Sequence, residues 1–325
     1  MKALYFSQPN NLQPWFDDVV RAVGGQHSVL LYQAGESVAK QLHEVQVVID
    51  QGGASAPGEA VAAAAASGVR LWQVLGTGLE HVDVRGILSH RLPLANTPGQ
   101  FSSIALAEHA LFLMLYIAKN FATARRNLQA GTFYHPINDE LEGQTLGLVG
   151  LGASGQELAR RARHLGMQLL GLDVKQPSDE TLHELGVKYL GGPGQLSQLF
   201  GQSDYVSIHV PLTRATKKMV DAHVLAGLRP GGVLINVARG EVVDQGALLE
   251  ALRIGQVRAA GLDVFAEEPI DGRHPLLRLD NVVATPHVAG VTGGTSRRRA
   301  EAVAENIRRV ASGLYPLYTI HSGDV

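Results

Sequence analysis

The sequence predicts an α/β protein built from doubly wound parallel sheets and organised as two units. Three observations carry that prediction. Short apolar runs with strand character alternate with helical segments through the first hundred residues, the alternation restarts near Gln144, and the restart opens on a glycine-rich turn between an apolar strand and a helix. A length of 325 residues is long for one domain and comfortable for two.

In chain order, strands are expected at Lys2–Phe6, Ser28–Leu31, 45–49 and 71–75, and the alanine-rich stretch 59–66 is a strong helix stopped by Gly68. A single long helix over residues 102–129 is expected to bridge the two units. The second series of strands is expected at Thr145–Val149, Gln168–Leu172, Tyr205–Ile208, 233–237, Ala259–Leu262 and Val282–Ala284, with helices between most of them, the pattern of a parallel sheet covered on both faces. A last helix over 297–312, ending at Gly313, follows the final strand and is expected to cross back onto the first unit. A cleft between two such units is a common place for a small-molecule site.

Composition narrows the function. A formal charge of −2 and a pI near 6.7 give no reason to expect nucleic acid or an anionic membrane as a partner. The run Arg297-Arg298-Arg299, near Glu301 and Glu305, is expected to be a solvated helix face. The absence of cysteine excludes disulfides, thiolate nucleophiles and cysteine-ligated metals, and no metal site is expected. The N-terminal apolar run is too short for a signal peptide. The apolar stretch 104–118 carries Glu108 and His109 and falls short of the roughly 20 residues that span a bilayer, so a cytoplasmic protein is expected.

The glycine turn reads Gly150-Leu151-Gly152-Ala153-Ser154-Gly155. Gly150 permits the tight turn, Gly152 lets the backbone approach a pyrophosphate, and Gly155 lets helix pack on strand. The phosphates then meet the N–H groups and positive dipole end of the helix that follows. Glycine makes up 37 of 325 residues, so the spacing alone could arise by chance. Strand before, helix after and Asp173 at the tip of the next strand make it a dinucleotide site of Rossmann type, against the alternative of a plain βα turn with a solvated carboxylate. A carboxylate at Asp173 accepts both ribose hydroxyls and repels a 2′-phosphate, which favours NAD over NADP; Lys175 partly offsets that repulsion.

Ligands of open α/β sheets lie beyond the carboxyl ends of the strands, which draws attention to Arg239, Glu268 and His287, each soon after a late strand. An imidazole can hold and release the proton that a carbonyl oxygen gains during hydride addition. A carboxylate on its other nitrogen fixes the tautomer, and a guanidinium pairs with a substrate carboxylate. The three suit hydride exchange between a nicotinamide and a 2-oxo or 2-hydroxy acid. Singly, each has an ordinary alternative: a surface arginine, a loop carboxylate, a turn histidine. Either Glu267 or Glu268 could reach the imidazole; Glu268, directly before Pro269, is chosen.

The ordered motifs Gly76-Thr77-Gly78-Leu79-Glu80-His81-Val82-Asp83, Asn96-Thr97-Pro98-Gly99, Ala107-Glu108-His109, the glycine turn, His209-Val210-Pro211-Leu212-Thr213, Asn236-Val237-Ala238-Arg239-Gly240, Leu262-Asp263-Val264-Phe265 with Glu268-Pro269, and Thr285-Pro286-His287 are similar to the signature of the D-isomer-specific 2-hydroxyacid dehydrogenases. The resemblance implies a Rossmann-type NAD domain, residues 99–287, inserted into a smaller flavodoxin-like substrate domain, residues 1–98 and 288–325, and a homodimer formed through the NAD domain. It implies that Arg239, Glu268 and His287 are catalytic and that Leu75, Gly76, Thr77 and Gly78 bind the substrate with Arg239 and His287. Cofactor contacts are expected from Ser103, Gly150, Gly152, Ala153, Ser154, Gly155, Asp173, His209, Val210, Pro211, Thr216, Val237, Ala238, Asp263 and Gly290, with Asp263 at the nicotinamide amide.

Thr77 stands where the related phosphite dehydrogenases carry lysine, and the loop Gln51-Gly52-Gly53-Ala54 has no arginine for a phosphate. Both departures favour a small unphosphorylated acid such as glyoxylate, pyruvate or hydroxypyruvate. The alternatives kept are a D-3-phosphoglycerate dehydrogenase and an NAD(H)-sensing, corepressor-like binding protein on the same fold. Relatives of adenosylhomocysteine hydrolase or alanine dehydrogenase share the turn but not this Arg, Glu and His order.

Overall fold

The computed structural model describes residues 1–52, 56 and 58–323. It divides into two compact units, Met1–Phe101 with the chain from Thr292 onward, and Ser102–Val291.

The first unit holds five parallel strands: β1 (Lys2–Phe6), β2 (Ser28–Leu31), β3 (Val47–Asp50), β4 (Leu71–Val74) and β5 (Leu94–Ala95), in the order β2-β1-β3-β4-β5. Side chains alternate across this sheet, so Leu4 and Phe6 join Val48 and Trp72 in one core, while Ala3 and Tyr5 join Ile49 and Leu71 in another. The second core is completed by helix Trp15–Val23 and by Ala300, Val303 and Ile307 of helix Gly293–Ala311. The third strand starts later than expected, because the Val45 N–H turns back to the Leu42 carbonyl at 3.1 Å. β5 is not expected from the sequence. Only two residues long, it is set by its neighbours: Trp72 N–H donates to Pro93 O, Ile320 N–H donates to Leu94 O, and Ala95 bridges Thr319.

The second unit is a seven-stranded parallel sheet: β6 (Thr145–Val149), β7 (Gln168–Leu172), β8 (Val187–Gly191), β9 (Tyr205–Ile208), β10 (Val233–Asn236), β11 (Ala259–Leu262) and β12 (Val282–Ala284). Their order, β12-β11-β10-β9-β6-β7-β8, runs outward from β6 to β8 and then returns to β9 on the other side. The doubly wound class is therefore observed, with its switch point between β6 and β9. β8 is an added edge strand, fully buried only at Val187, and its sequence carries no alternating signal. The single helix expected over 102–129 is two, Ser103–Ala118 and Phe121–Gln129, bent by 49°. Asn120 breaks it by taking the left-handed conformation (φ 44°), its amide donating to Ile137 O. Among the described residues no single helix is long and apolar enough to cross a membrane.

Candidate active site

β6 ends at Val149 and the chain turns at once. Gly150 has φ +101° and donates its N–H to Leu172 O at 2.9 Å. A Cβ on Gly155 would lie 2.1 Å from the Gly150 carbonyl oxygen, so only glycine fits beneath the turn. Gly152 differs: a Cβ there would meet no atom within 4 Å. Gly152 is also the N-cap of helix Ala153–His164 and gives it no side-chain cap. An open, glycine-lined helix N-terminus is what a pyrophosphate needs, and the residues present fit one.

Asp173 follows β7 and its carboxylate takes N–H groups from Leu151 at 2.7 Å and Lys175 at 3.1 Å. The carboxylate thus stands directly beside the turn. His209 bridges Ser154 Oγ (3.1 Å) and Ser207 Oγ (2.9 Å), and burial pushes its imidazole down to about 4, so it is neutral at physiological pH. Val210 packs close to Gly150, and Thr216 closes the next loop by donating to Pro211 O at 2.6 Å. Ser103 is buried in the first turn of its helix, and Gly290 lies near Ser102 and Leu106.

The chemistry-bearing residues come from three strand ends. After β10, Val237 and Ala238 are buried; Ala238 N–H donates to Asn236 Oδ1 and Asn236 Nδ2 to Arg239 O, which shapes the loop under Arg239. Gly240 lets this loop lie against the next: a Cβ there would be 1.8 Å from the Phe265 carbonyl carbon. After β11, Phe265 N–H donates to Glu268 Oε1 at 2.9 Å, and Gln245 Oε1 accepts from Ala266 N–H at 3.0 Å. Glu268 Oε2 then meets His287 Nδ1 at 2.6 Å. That hydrogen bond raises the pKa of His287 against the opposing effect of burial. Burial alone would lift the Glu268 carboxyl, but His287 and the Phe265 N–H hold it below its ordinary value.

His287 has φ +53°, a conformation that needs support in a residue other than glycine. Asp263 supplies it. The Asp263 carbonyl accepts the His287 N–H at 2.8 Å. Its fully buried carboxylate takes Thr285 Oγ1 (2.6 Å), Val288 N–H (2.9 Å) and Ala289 N–H (2.8 Å). Asp263, expected at the nicotinamide amide, sits beneath the His287 turn. His109, part of a sequence motif with no role attached, reaches the same network through Thr285 Oγ1 at 2.8 Å, and burial lowers its pKa. Sequence reasoning does not single out Asn236, Gln245 or Thr285. Asn236 closes β10 and Thr285 directly follows β12, so the strand-end position that marks Arg239 and His287 is a signal for them too. Gln245, at the start of helix Gln245–Arg253, carries no such signal.

Leu75, Gly76, Thr77 and Gly78 follow β4 in the first unit. Leu75 N–H donates to Asp50 O, Thr97 N–H to Gly76 O, Asn96 Nδ2 to Thr77 O, and Thr77 Oγ1 to Thr97 O at 3.1 Å. Gln51 is buried and accepts from Tyr5 OH at 3.0 Å, while Gly53 and Ala54 of that loop lie outside the described residues. The run Arg297-Arg298-Arg299 is not one solvated face. Arg297 is exposed, but Arg298 and Arg299 are partly buried: Arg298 Nε donates to Phe101 O at 2.9 Å and an Arg299 N–H to Thr77 Oγ1 at 3.3 Å.

Residues 111–289 match the family model described as D-isomer specific 2-hydroxyacid dehydrogenase, NAD binding domain. A glyoxylate reductase of Korarchaeum cryptofilum is 38% identical over 258 residues, 78% of this chain and 76% of that protein. A hydroxypyruvate reductase of Thermotoga maritima is 40% identical over 236 residues, 71% of this chain and 74% of that protein. The crystal structure of a D-isomer specific 2-hydroxyacid dehydrogenase from Xanthobacter autotrophicus Py2, in complex with NADPH and MES, matches at a TM-score of 0.79 and 28% identity, covering 98% of each chain.

Proposed function

Since this chain belongs to the D-isomer specific 2-hydroxyacid dehydrogenases, oxidoreductases that act on CH–OH groups with a nicotinamide dinucleotide, we propose that it is an NADH-dependent reductase of small 2-oxo acids. The substrates are in the size range of glyoxylate, pyruvate and hydroxypyruvate, and the product is the D-2-hydroxy acid. The observation that carries this reading is the 2.6 Å pair of His287 and Glu268 beyond β11 and β12, in the sheet whose β6 ends on the glycine turn. The names of the glyoxylate and hydroxypyruvate reductases quoted above support the same size of substrate.

When bound, the dinucleotide supplies the hydride that adds to C2. Gly150, Gly152 and the open N-terminus of helix Ala153–His164 hold its pyrophosphate, and Asp173 its adenosine ribose. With Nδ1 turned to Glu268, His287 keeps its transferable proton on Nε2 and delivers it to the carbonyl oxygen as C2 is reduced. Glu268 favours the charged imidazolium until that transfer. Arg239 pairs with the substrate carboxylate and keeps its own charge throughout. Asp173 favours NADH, since a 2′-phosphate would meet its carboxylate; the relative solved with NADPH makes the paired comparison of both cofactors necessary.

The exposed apolar side chains Phe121, Leu128, Phe133, Tyr134 and Ile137 of the second unit support a homodimer.

The test is a spectrophotometric screen of 2-oxo acids with NADH and NADPH side by side, on the wild-type chain and on His287→Ala. The variant is expected to lose about 10²–10⁴-fold in kcat, the usual contribution of a general acid, while NADH still binds. Undiminished turnover by His287→Ala overturns the assignment.

A further inference from the structure

We propose that His109 and Thr285 are positioning residues for the reaction, which hold His287 in its left-handed turn by fixing the carboxylate of Asp263. The inference rests on the reading of His287 as the proton donor to a 2-oxo acid.

Three successive backbone N–H groups of the turn end on one residue. His287 N–H donates to the Asp263 carbonyl at 2.8 Å, Val288 N–H to Asp263 Oδ1 at 2.9 Å and Ala289 N–H to Asp263 Oδ2 at 2.8 Å. A residue other than glycine at φ +53° persists only where its surroundings hold it. Two of the three bonds go to a carboxylate, a group whose plane turns easily about its last side-chain bond. Whatever stops that rotation also sets the His287 ring against Glu268.

Thr285 stops it, its Oγ1 donating to Asp263 Oδ1 at 2.6 Å. A hydroxyl is itself a rotor with one proton to give. His109 fixes that rotor. A carboxylate oxygen only accepts, so the Thr285 proton lies toward Asp263. The 2.8 Å contact between His109 Nε2 and Thr285 Oγ1 then runs from the imidazole N–H to the hydroxyl oxygen. The order is His109 Nε2–H, Thr285 hydroxyl, Asp263 carboxylate, with the N–H groups of the turn arriving from the other side. Burial lowers the pKa of His109, and in the neutral ring this order leaves the single proton on Nε2.

The chain of bonds is anchored on a rigid element. His109 belongs to helix Ser103–Ala118, and one turn on, Leu113 packs directly on β11: a Cβ on Gly261 would lie 2.9 Å from the Leu113 Cβ. The helix is thus seated on the strand that leads into Asp263. The effect of His109 and Thr285 on the reaction passes through Asp263 and the turn.

The experiment measures reduction of glyoxylate and pyruvate by the wild-type chain, Thr285→Val, Thr285→Ser, His109→Leu and His109→Gln, together with NADH binding and the imidazole nitrogen NMR shifts of the histidine-labelled protein. Thr285→Val removes the hydroxyl and keeps the shape; kcat and kcat/KM should fall together by about 10–100-fold, the scale for misplacing a reacting group, while NADH still binds. His109→Leu should lose less, since Thr285 remains. Serine at 285 and glutamine at 109 keep a donor and should recover most of the rate. In a His287→Ala background Thr285→Val should cause no further loss, because the turn no longer carries the proton. At a pH where both rings are neutral, the wild-type chain should hold the His109 proton on Nε2 and the His287 proton on Nδ1, toward Glu268. In Thr285→Val the His287 proton should redistribute between its two nitrogens. A His287 proton that stays on Nδ1 in Thr285→Val, a His109 proton on Nδ1, or an equal loss in the His287→Ala background overturns the positioning role. If Thr285→Val fails to bind NADH, His109→Leu, which lies outside the turn, is read in the same way. Absence of turnover by the wild-type chain on both acids overturns the reductase and the proton donor with it; the nitrogen shifts then still decide whether Thr285 holds the turn.

Discussion

His287 and Glu268 shift each other's pKa in opposite directions, and the signs make a pH prediction. Their hydrogen bond raises the imidazole, so the protonated form needed for carbonyl reduction survives to higher pH than in a free histidine. Reduction should therefore be level at moderately acidic pH and fall as pH rises through the raised value. Glu268→Gln removes the anion and keeps the shape, so the alkaline limb of kcat/KM should move to lower pH. A limb that stays in place would assign the titration to another group. The same signs act on stability. The raised imidazole stabilises the fold below its ordinary pKa, a contribution lost as pH rises through the raised one, whereas the lowered Glu268 carboxyl contributes above its ordinary range and loses this as pH falls.

At the scale of elements, the glycine turn separates two demands that its motif states together. A methyl group on Gly155 meets the Gly150 carbonyl oxygen, so Gly155→Ala should lower stability by about 1–3 kcal/mol, the range for overpacking, as read by thermal denaturation. A methyl group on Gly152 meets nothing, so Gly152→Ala should melt with the wild-type chain yet, on the proposed placement of the pyrophosphate, raise KM for NADH by about tenfold or more, because the methyl would enter the space proposed for it. If Gly152→Ala binds NADH normally, the phosphates do not lie over that residue. The contrast also shows what is legible in the sequence. β1, β2, β6, β7, β9, β11 and β12 follow from apolar runs bounded by turns, a local signal. β5 and β8 are not visible, since a two-residue strand and a half-exposed edge owe their pairing to partners distant in sequence. Asn120 breaks the helix through its own left-handed backbone, which the spacing of apolar residues does not show. The grouping of Arg239, Glu268 and His287 can be expected because all three follow strands of one sheet. The support of His287 by Asp263, Thr285 and His109 cannot, because it depends on side-chain directions that spacing does not carry.

Across the whole molecule, a net charge of −2 on 325 residues does little to keep copies apart. The apolar exposure is uneven. Tyr134 is 98% exposed and Ile137 86%, and they follow Phe121, Leu128 and Phe133 in one stretch of the second unit. Phe112, Tyr116 and Phe121 continue it as a chain of ring contacts at 5.7 and 5.3 Å. Scattered apolar residues are ordinary on a protein surface, but a run of aromatic side chains left in water is the composition of an interface core. A second copy of this chain is the occupant to which the family resemblance points. Sedimentation equilibrium of the wild-type chain should then give twice the 34.7 kDa chain mass. Replacing Phe133 and Ile137 together by aspartate places two charges in the contact, where neither finds a partner, and should shift the protein to a single chain mass. NADH binding by this variant, measured alongside, distinguishes a separated but folded chain from an unfolded one. A wild-type chain that sediments at 34.7 kDa, or a folded variant that remains paired, removes the contact from this surface.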